Sequence, residues 1–195
     1  MKRFVFLLSV LLILGCSDEV VNHKRSVIWP LAIGNQWTLE TCEFNYAGDT
    51  LSFDTLTLEV VRDTVINSER WFIIYVNGSY DPELPPVTNK ADGGWQVDSL
   101  GQEWMSAKYP AVVNDSFQWG DQMCYVDSIN EIVTVPAGDF TCYRYRRTDI
   151  GSTDPRSLMY LSPDRGLVKL EELVIDGGGQ PYVNSRSELL SFVLH

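Results

Sequence analysis

Side chains able to do acid–base or metal chemistry are few in this chain of 195 residues, which has two histidines, four cysteines and 26 acidic residues. His23 precedes the strand-forming part of the sequence, and His195 is the last residue. A general base must be held within hydrogen-bond reach of its proton. Neither end position is expected to offer that, so a histidine-dependent triad or a zinc site is not expected. Gly-x-Ser-x-Gly, His-Glu-x-x-His, Cys-x-x-Cys and phosphate-loop patterns do not occur. The run Gly177-Gly178-Gly179 has no Lys-Ser/Thr after it and reads as a turn. Acid-rich residues 81–83 lack EF-hand spacing. The reading assigns no metal, no cofactor and no catalytic residue.

Carboxylates remain, because glycoside hydrolysis needs only two. Asp92, Asp98 and Glu103 lie close in sequence to Trp95 and Trp104, a mix of acid and stacking ring that suits a sugar. In a chain this acidic, an exposed edge with structural tryptophans is the plainer reading of the same segment. Trp95 and Trp104 are still the foremost ligand-facing candidates. Arg144, Arg146 and Arg147 form the densest basic cluster. On a strand, Arg144 and Arg146 share one face, while Tyr143, Tyr145 and Arg147 share the other. Arg144 and Arg146 could grip an anion, but salt bridges to the abundant acids are the simpler expectation.

Cys42, Cys124 and Cys142 are an odd set, so at least one thiol stays free. If residues 127–130 and 136–139 are both hairpin turns, Cys124 and Cys142 each face Val133 from opposite sides. Two strand spacings put them about 9–10 Å apart, beyond the Cα separation of about 7 Å that a disulfide spans. Three small buried apolar side chains are expected.

Cys16 belongs to a different context. Met1-Lys2-Arg3 is basic, and residues 4–14 (FVFLLSVLLIL) are apolar. A helix of that length rises about 16 Å, roughly half a bilayer core, which suits a secretion signal and not a span. Ile13-Leu14-Gly15-Cys16 resembles a bacterial lipobox. That resemblance implies cleavage before Cys16 and acylation of its thiol and amine. Residues 1–15 would then be a signal peptide, 16–26 a lipidated cysteine with its tether, and 27–195 a single domain. Two or three acyl chains would hold the protein firmly on a membrane. Ser17-Asp18-Glu19 resembles the acidic tripeptide that routes some Gram-negative lipoproteins to the cell surface, and reads equally well as a solvated linker.

The rest of the chain must supply the frame. Leu56, Leu58 and Val60 alternate with Thr55, Thr57 and Glu59, the period-2 signature of a half-buried strand. Residues 71–76 (WFIIYV) are apolar on both faces and predict a central strand covered on both sides. Val133 and Val135 enter a turn at Pro136-Ala137-Gly138-Asp139, residues 140–147 leave it, and Gly138 is expected at positive φ. Residues 167–175, between a Pro-Asp-Arg-Gly turn and the triple glycine, read as a strand, and residues 182–194 as the last one. Pro82, Pro85 and Pro86 mark a long loop over 78–92. The expected fold is all-β: one antiparallel meander of about ten strands, either strongly curved into a half-barrel or folded as a sandwich, with little helix.

Residues 29–37 (WPLAIGNQW) echo residues 109–117 (YPAVVNDSF). Each has an aromatic–Pro pair, a small apolar run, a turn and an aromatic that opens a strand. The echo reads as two similar strand starters in preference to a duplication.

Composition is that of a globular domain, with 45% hydrophobic and 21% charged residues, and a net charge of −11 speaks against nucleic acid. Residues 30–37 (PLAIGNQW), Tyr109-Pro110-Ala111, residues 135–140 (VPAGDF) and Gly166-Leu167-Val168-Lys169 together resemble a family of uncharacterised bacterial lipoproteins. The resemblance implies a single all-β domain akin to the curved half-barrel sheets of lipoprotein carriers, and brings no catalytic residue with it. The functional expectation is a membrane-anchored, non-enzymatic binding or structural module of the cell envelope, on the outer membrane. Its partners would be the membrane, through the acyl chains, and an apolar ligand, a glycan or an envelope protein. The alternative is an envelope glycan hydrolase using paired carboxylates.

Overall fold

A computed structural model of the chain describes residues 26–195. The signal sequence, Cys16, the acidic tripeptide and His23 lie outside the described residues. Thirteen strands follow one another: β1 (Gln36–Phe44), β2 (Thr50–Ile66), β3 (Glu69–Val76), β4 (Ser79–Tyr80), β5 (Val87–Lys90), β6 (Gly93–Val97), β7 (Glu103–Lys108), β8 (Ser116–Trp119), β9 (Gln122–Val135), β10 (Gly138–Asp149), β11 (Pro155–Ser162), β12 (Gly166–Ile175) and β13 (Pro181–Val193). There is no helix among the described residues. The expected antiparallel sheet is present, with more strands than the ten anticipated. Two of the extra strands, β4 and β5, lie in the region taken as a long proline loop.

The strand order is β7-β6-β5-β3-β2-β1-β13-β12-β11-β10-β9-β8, with β4 attached to β3. Strands pair with their predecessors except that β5 pairs with β3 past the short β4 and that β8 does not pair with β7, and the first strand β1 pairs with the last, β13, from Gln36↔Val193 to Glu43↔Ser185. The sheet curls until its end strands meet. From β10 the Tyr145 hydroxyl donates to the Lys108 carbonyl at the end of β7, 2.8 Å away. From β8 the Trp119 indole donates to Gln96 Oε1 on β6, 2.9 Å away. The end strands themselves share no ladder. The result is a nearly closed barrel with one open seam, between β7 and β8.

The alternating pattern decides which side chains fill it. Leu56, Leu58 and Val60 join Trp37 and Leu39 of β1 in the core, where Leu39, Val60, Tyr145, Leu161, Val168 and Leu189 are completely buried. Truncating any of the buried leucines to alanine should cost about 2–5 kcal/mol. The apolar run 71–76 is a central strand, as expected. Phe72 and Ile74 face the core, while Trp71 and Ile73 are buried on the opposite side, where Lys90 lies 5.4 Å over the Trp71 ring. Gly138 has φ +126° and closes a two-residue turn against Val135.

One expectation is corrected. Residues 127–130 are not a turn: they lie inside the continuous strand β9 and pair with β10 through two bulges. Cys124 therefore faces Arg147 and Cys142 faces Glu131, on adjacent strands but far out of register. All three cysteines are free.

The echo is seen as two similar strand starters, as expected, placed at equivalent points of two runs of strands. In the first copy, Gly34 N–H donates to Val60 O, Val60 N–H to Asn35 O, and Asn35 N–H to Ala32 O. In the second, Asn114 donates to Val126 O, Val126 to Asp115 O, and Asp115 to Val112 O. Gly34 and Asn114 both have positive φ, 93° and 73°. Trp37 faces Leu58 as Phe117 faces Cys124, in each case two residues before the shared valine. Two six-stranded meanders follow, β1–β3 with β5–β7, and β8–β13. The laced β1–β13 junction and the open β7–β8 seam occupy equivalent places between them.

Candidate binding site

The seam exists because its strands are short. Strand β7 has 6 residues and β8 has 4, against 9 and 13 for β1 and β13 at the laced junction. Side chains take over where backbone pairing stops. Gln96, nearly buried, offers a single oxygen to two indoles, Trp104 at 3.1 Å and Trp119 at 2.9 Å. The wall of the barrel is thus closed by tryptophan edges.

Outside that closure runs a groove of about 410 Å³ lined by Trp95, Gln102, Trp104, Met105, Phe117 and Gln118. A second cleft of about 330 Å³ shares Trp104 and Gly120 with it and continues past Trp119 beneath Leu84 and Pro85, with Glu83 and Asp121 at its edge. The aromatic rings are partly exposed, whereas the two glutamines, Glu83 and Asp121 are exposed. Trp95 and Trp104, adjacent only in sequence terms before folding, are brought together with three groups that the sequence reading missed: Phe117, Trp119 and Gln96. Gln96 lies beside Trp95 on β6, while Phe117 and Trp119 come from β8, at the opposite end of the strand order, and no local pattern connects them.

The nearby acids are engaged. Asp92 accepts the Trp95 indole N–H at 2.9 Å. One oxygen of Asp98 accepts the amides of Leu100 and Gln102, both at 2.8 Å, which fixes the β6–β7 turn. Glu103 pairs with Lys90 at 2.5 Å, and Lys90 also reaches Glu69 at 2.7 Å and lies 5.1 Å over Trp95. The Lys90 hydrogen bond, helped by Asn67, holds the Glu103 carboxyl below its ordinary range.

The arginine cluster divides as alternation requires. Arg144 meets Glu131 at 3.1 Å, and Arg146 meets Asp127 at 3.1 Å while lying over Tyr125. Both have carboxylate partners on the face opposite the tyrosines. Arg147 follows Tyr143 and Tyr145 to the core side. It bonds Ser157 and Glu172, the latter at 2.9 Å, and stacks 4.3 Å over the Trp119 ring, which braces the seam from within.

His195 is not loose, contrary to expectation. Its amide donates to Asn35 Oδ1 at 2.8 Å, and its ring lies against Gly34. It lines a cleft of about 580 Å³ at the barrel mouth, where residues 26–35 cross from Asp164 to Asn89. Much of the polar surface there is taken up by that crossing segment: Asn89 holds both the amide and the carbonyl of Trp29, and Asp164 holds Ser26 and Val27, while the Trp29 indole Nε1 is buried without a hydrogen-bond partner among the described residues. The seam groove sets beside its partly exposed rings the side chains of Gln102, Glu83 and Asp121, which have no hydrogen-bond or ion-pair partner among the described residues, and for that reason it is the candidate site.

No family model matches the chain, and no curated protein matches it. Among solved structures, one from Bacteroides fragilis, described as an exported protein with a YmcC-like fold, is 15% identical, covers 86% of this chain and 99% of that chain, and superposes with a TM-score of 0.43. One from Parabacteroides distasonis, described as a lipoprotein, is 13% identical over the same shares of the two chains, with a TM-score of 0.39.

Proposed function

We propose that this chain is a lipid-anchored, non-enzymatic binding module of the cell envelope, held on the outer membrane through Cys16, and that it meets its ligand along the β7–β8 seam. The observation that carries the reading is the open seam itself. Partly exposed rings of Trp95, Trp104 and Phe117 line a groove where, among the described residues, the neighbouring end strands β7 and β8 share no backbone ladder. Apolar grooves with a few free polar groups are the usual form of a small-ligand site. The barrel interior is filled by the buried core, which supports display of a surface over cupping of an apolar ligand.

The hydrolase alternative needs one carboxyl raised toward neutrality to donate a proton. Asp92 and Asp98 are occupied by structural hydrogen bonds, and Glu103 is shifted the other way. These constraints support binding over hydrolysis.

Native mass spectrometry of the full chain, purified in detergent from its host envelope without added ligand, tests the reading. The wild type should carry an added mass that is lost from Gln118→Arg, which places a long cation in the groove at an exposed position. An identical spectrum for both proteins would overturn it. So would turnover of envelope glycans or esters that disappears in Glu103→Gln while the fold is intact.

A further inference from the structure

We infer that the seam takes a neutral glycan, a short run of sugar rings laid across Trp104 from one cleft into the other. This rests on the seam being the binding surface and names the chemistry of its ligand.

Charge narrows the choice first. Two cations lie beside the groove, and both are engaged: Lys90 is shared between Glu69 and Glu103, and Arg147, stacked on Trp119, is paired with Glu172. An anionic ligand would find no free positive charge there and would meet Glu83 and Asp121, whose carboxylates have no hydrogen-bond or ion-pair partner among the described residues. Phosphate-bearing headgroups and acidic polysaccharides are disfavoured by plain Coulomb repulsion.

Hydrogen-bonding capacity narrows it further. Gln118 donates to Gly120 O at 2.8 Å, which leaves its own carbonyl oxygen unpartnered. The Gln102 side chain has no hydrogen-bond partner among the described residues. With Glu83 and Asp121, the groove therefore presents four side chains rich in free acceptor oxygens, spaced along its length. A ligand that fills them must be dense in hydroxyl donors.

The rings supply the rest. The flat face of a pyranose carries C–H bonds with slight positive charge, and the face of an aromatic ring is negative, so the two stack. Trp95 and Phe117 flank the first cleft and Trp119 the second, with Trp104 between them. Volumes of about 410 and 330 Å³ each fall within the range of about 300–1,000 Å³ of small-ligand sites. Because both share Trp104 and Gly120, one linear ligand can occupy both.

A basic peptide would also be drawn to free carboxylates, but its attraction is screened by salt, whereas stacking and neutral hydrogen bonds are not. The experiment uses this difference. The full chain in detergent is titrated with neutral oligosaccharides of about four to six units, of gluco-, manno- and N-acetylglucosamine type, and with oligolysine, at about 50 and 500 mM salt. Binding is followed by tryptophan fluorescence and calorimetry. At least one oligosaccharide should saturate with an affinity that changes less than about twofold between the two salts. Trp95→Ala should weaken it about tenfold or more, and Gln118→Ala and Asp121→Asn, both at exposed positions, about threefold or more. Tyr182→Ala, in a separate cleft beside Tyr46, should leave it unchanged.

The inference is overturned if no oligosaccharide saturates, if the seam variants bind like wild type, or if oligolysine binds instead and is released by salt. A co-purified mass that is not a sugar, and is lost from Gln118→Arg, would overturn the glycan while leaving the binding module standing. Absence of any seam-dependent mass would remove the module as well.

Discussion

The backbone amide of Asn114 donates to the carbonyl of Val126 at 2.8 Å, the same bond at the same length that Gly34 makes to Val60. The two bonds mark equivalent points in two six-stranded halves, and the residues after them diverge. Asn35 is 2% exposed and fully used: Nδ2 donates to Pro30 O, and Oδ1 accepts the amide of His195. Asp115, its counterpart, accepts Val112 N–H and pairs with Lys108 at 3.1 Å nearer the surface.

That difference predicts an asymmetry. Asn35→Ala leaves the part-buried Pro30 carbonyl and the His195 amide without their partner, and because His195 is exposed the cost should lie near the low end, about 1 kcal/mol each. It should also release the C-terminus, so that a carboxypeptidase removes His195 faster than from wild type. Asp115→Ala should cost less and leave His195 protected. Denaturant melts of the two variants together with timed digestion check this, and equal digestion rates would refute it.

Gly138 and Gly93 separate strain from collision. Gly138 has φ +126° and open space around it, so Gly138→Val should lose only the conformational strain, about 1–3 kcal/mol. At Gly93 an added Cβ would lie 2.0 Å from the Ala107 carbonyl oxygen, in the backbone of the paired strand. Gly93→Ala must break the β6–β7 ladder and should be clearly the worse of the two. A Gly93→Ala protein as stable as Gly138→Val would contradict this geometry.

The Lys90–Glu103 pair predicts a pH dependence. Glu103 has a folded pKa lowered from the ordinary 4.5, chiefly by its hydrogen bond to Lys90. A lowered folded value contributes stability that is fully present above the unfolded pKa and is lost as pH falls through the folded one. Lys90→Met removes the cause. The variant should be less stable at neutral pH, by on the order of 1 kcal/mol for a partly exposed pair. The gap should close on acidification below about pH 4. Unfolding free energies measured from pH 7 down to pH 3 decide it, and parallel curves would count against the assignment.

Thiol reactivity should follow burial. Burial pushes the Cys124 and Cys142 thiols up to about 12, and only the thiolate reacts. Cys42 is half-buried, and its thiol is also raised by burial and by Glu40 and Glu188, though less severely. In native buffer an aqueous disulfide reagent should modify Cys42 slowly, and Cys124 and Cys142 only as the protein unfolds. Three thiols reacting at one rate would show the core to be open.

Local pattern carried a good part of this. Leu56, Leu58 and Val60 declared β2 by alternation alone, and the turn before Gly138 was marked by its own residues. Residues 127–130 (DSIN) have turn composition, yet partners on β10 hold them extended, and cross-strand pairing of that kind leaves no trace in the segment itself. Alternation put Arg147 with Tyr143 and Tyr145, but it could not say which face was inside; once the tyrosines are buried, Arg147 goes with them and requires Glu172. The seam was half legible. Trp95 and Trp104 stood out by type, while Phe117 and Trp119 reach them only through closure of the sheet.

Gln96 is where that closure is concentrated. It faces Val87 and Trp104 across its two ladders, and its Oε1 accepts both the Trp104 and the Trp119 indole. Gln96→Leu keeps the bulk and removes the acceptor. Because both rings are partly exposed, water can reach their N–H groups, so the cost should sit near the low end for lost hydrogen bonds, about 1–3 kcal/mol in total. The larger effect should be local. With no ladder between β7 and β8, the two indoles become free to part, and amides of residues 103–108 and 116–119 should exchange hydrogen faster while the β1–β13 junction stays protected. Gln96→Glu separates the two roles. It keeps an oxygen where both indoles point, so the seam should remain as protected as in wild type, although burying a carboxylate lowers overall stability. Fast exchange at the seam in Gln96→Leu but not in Gln96→Glu is the expected result. Equal protection in all three proteins would mean that the seam is held shut by something other than the shared oxygen of Gln96.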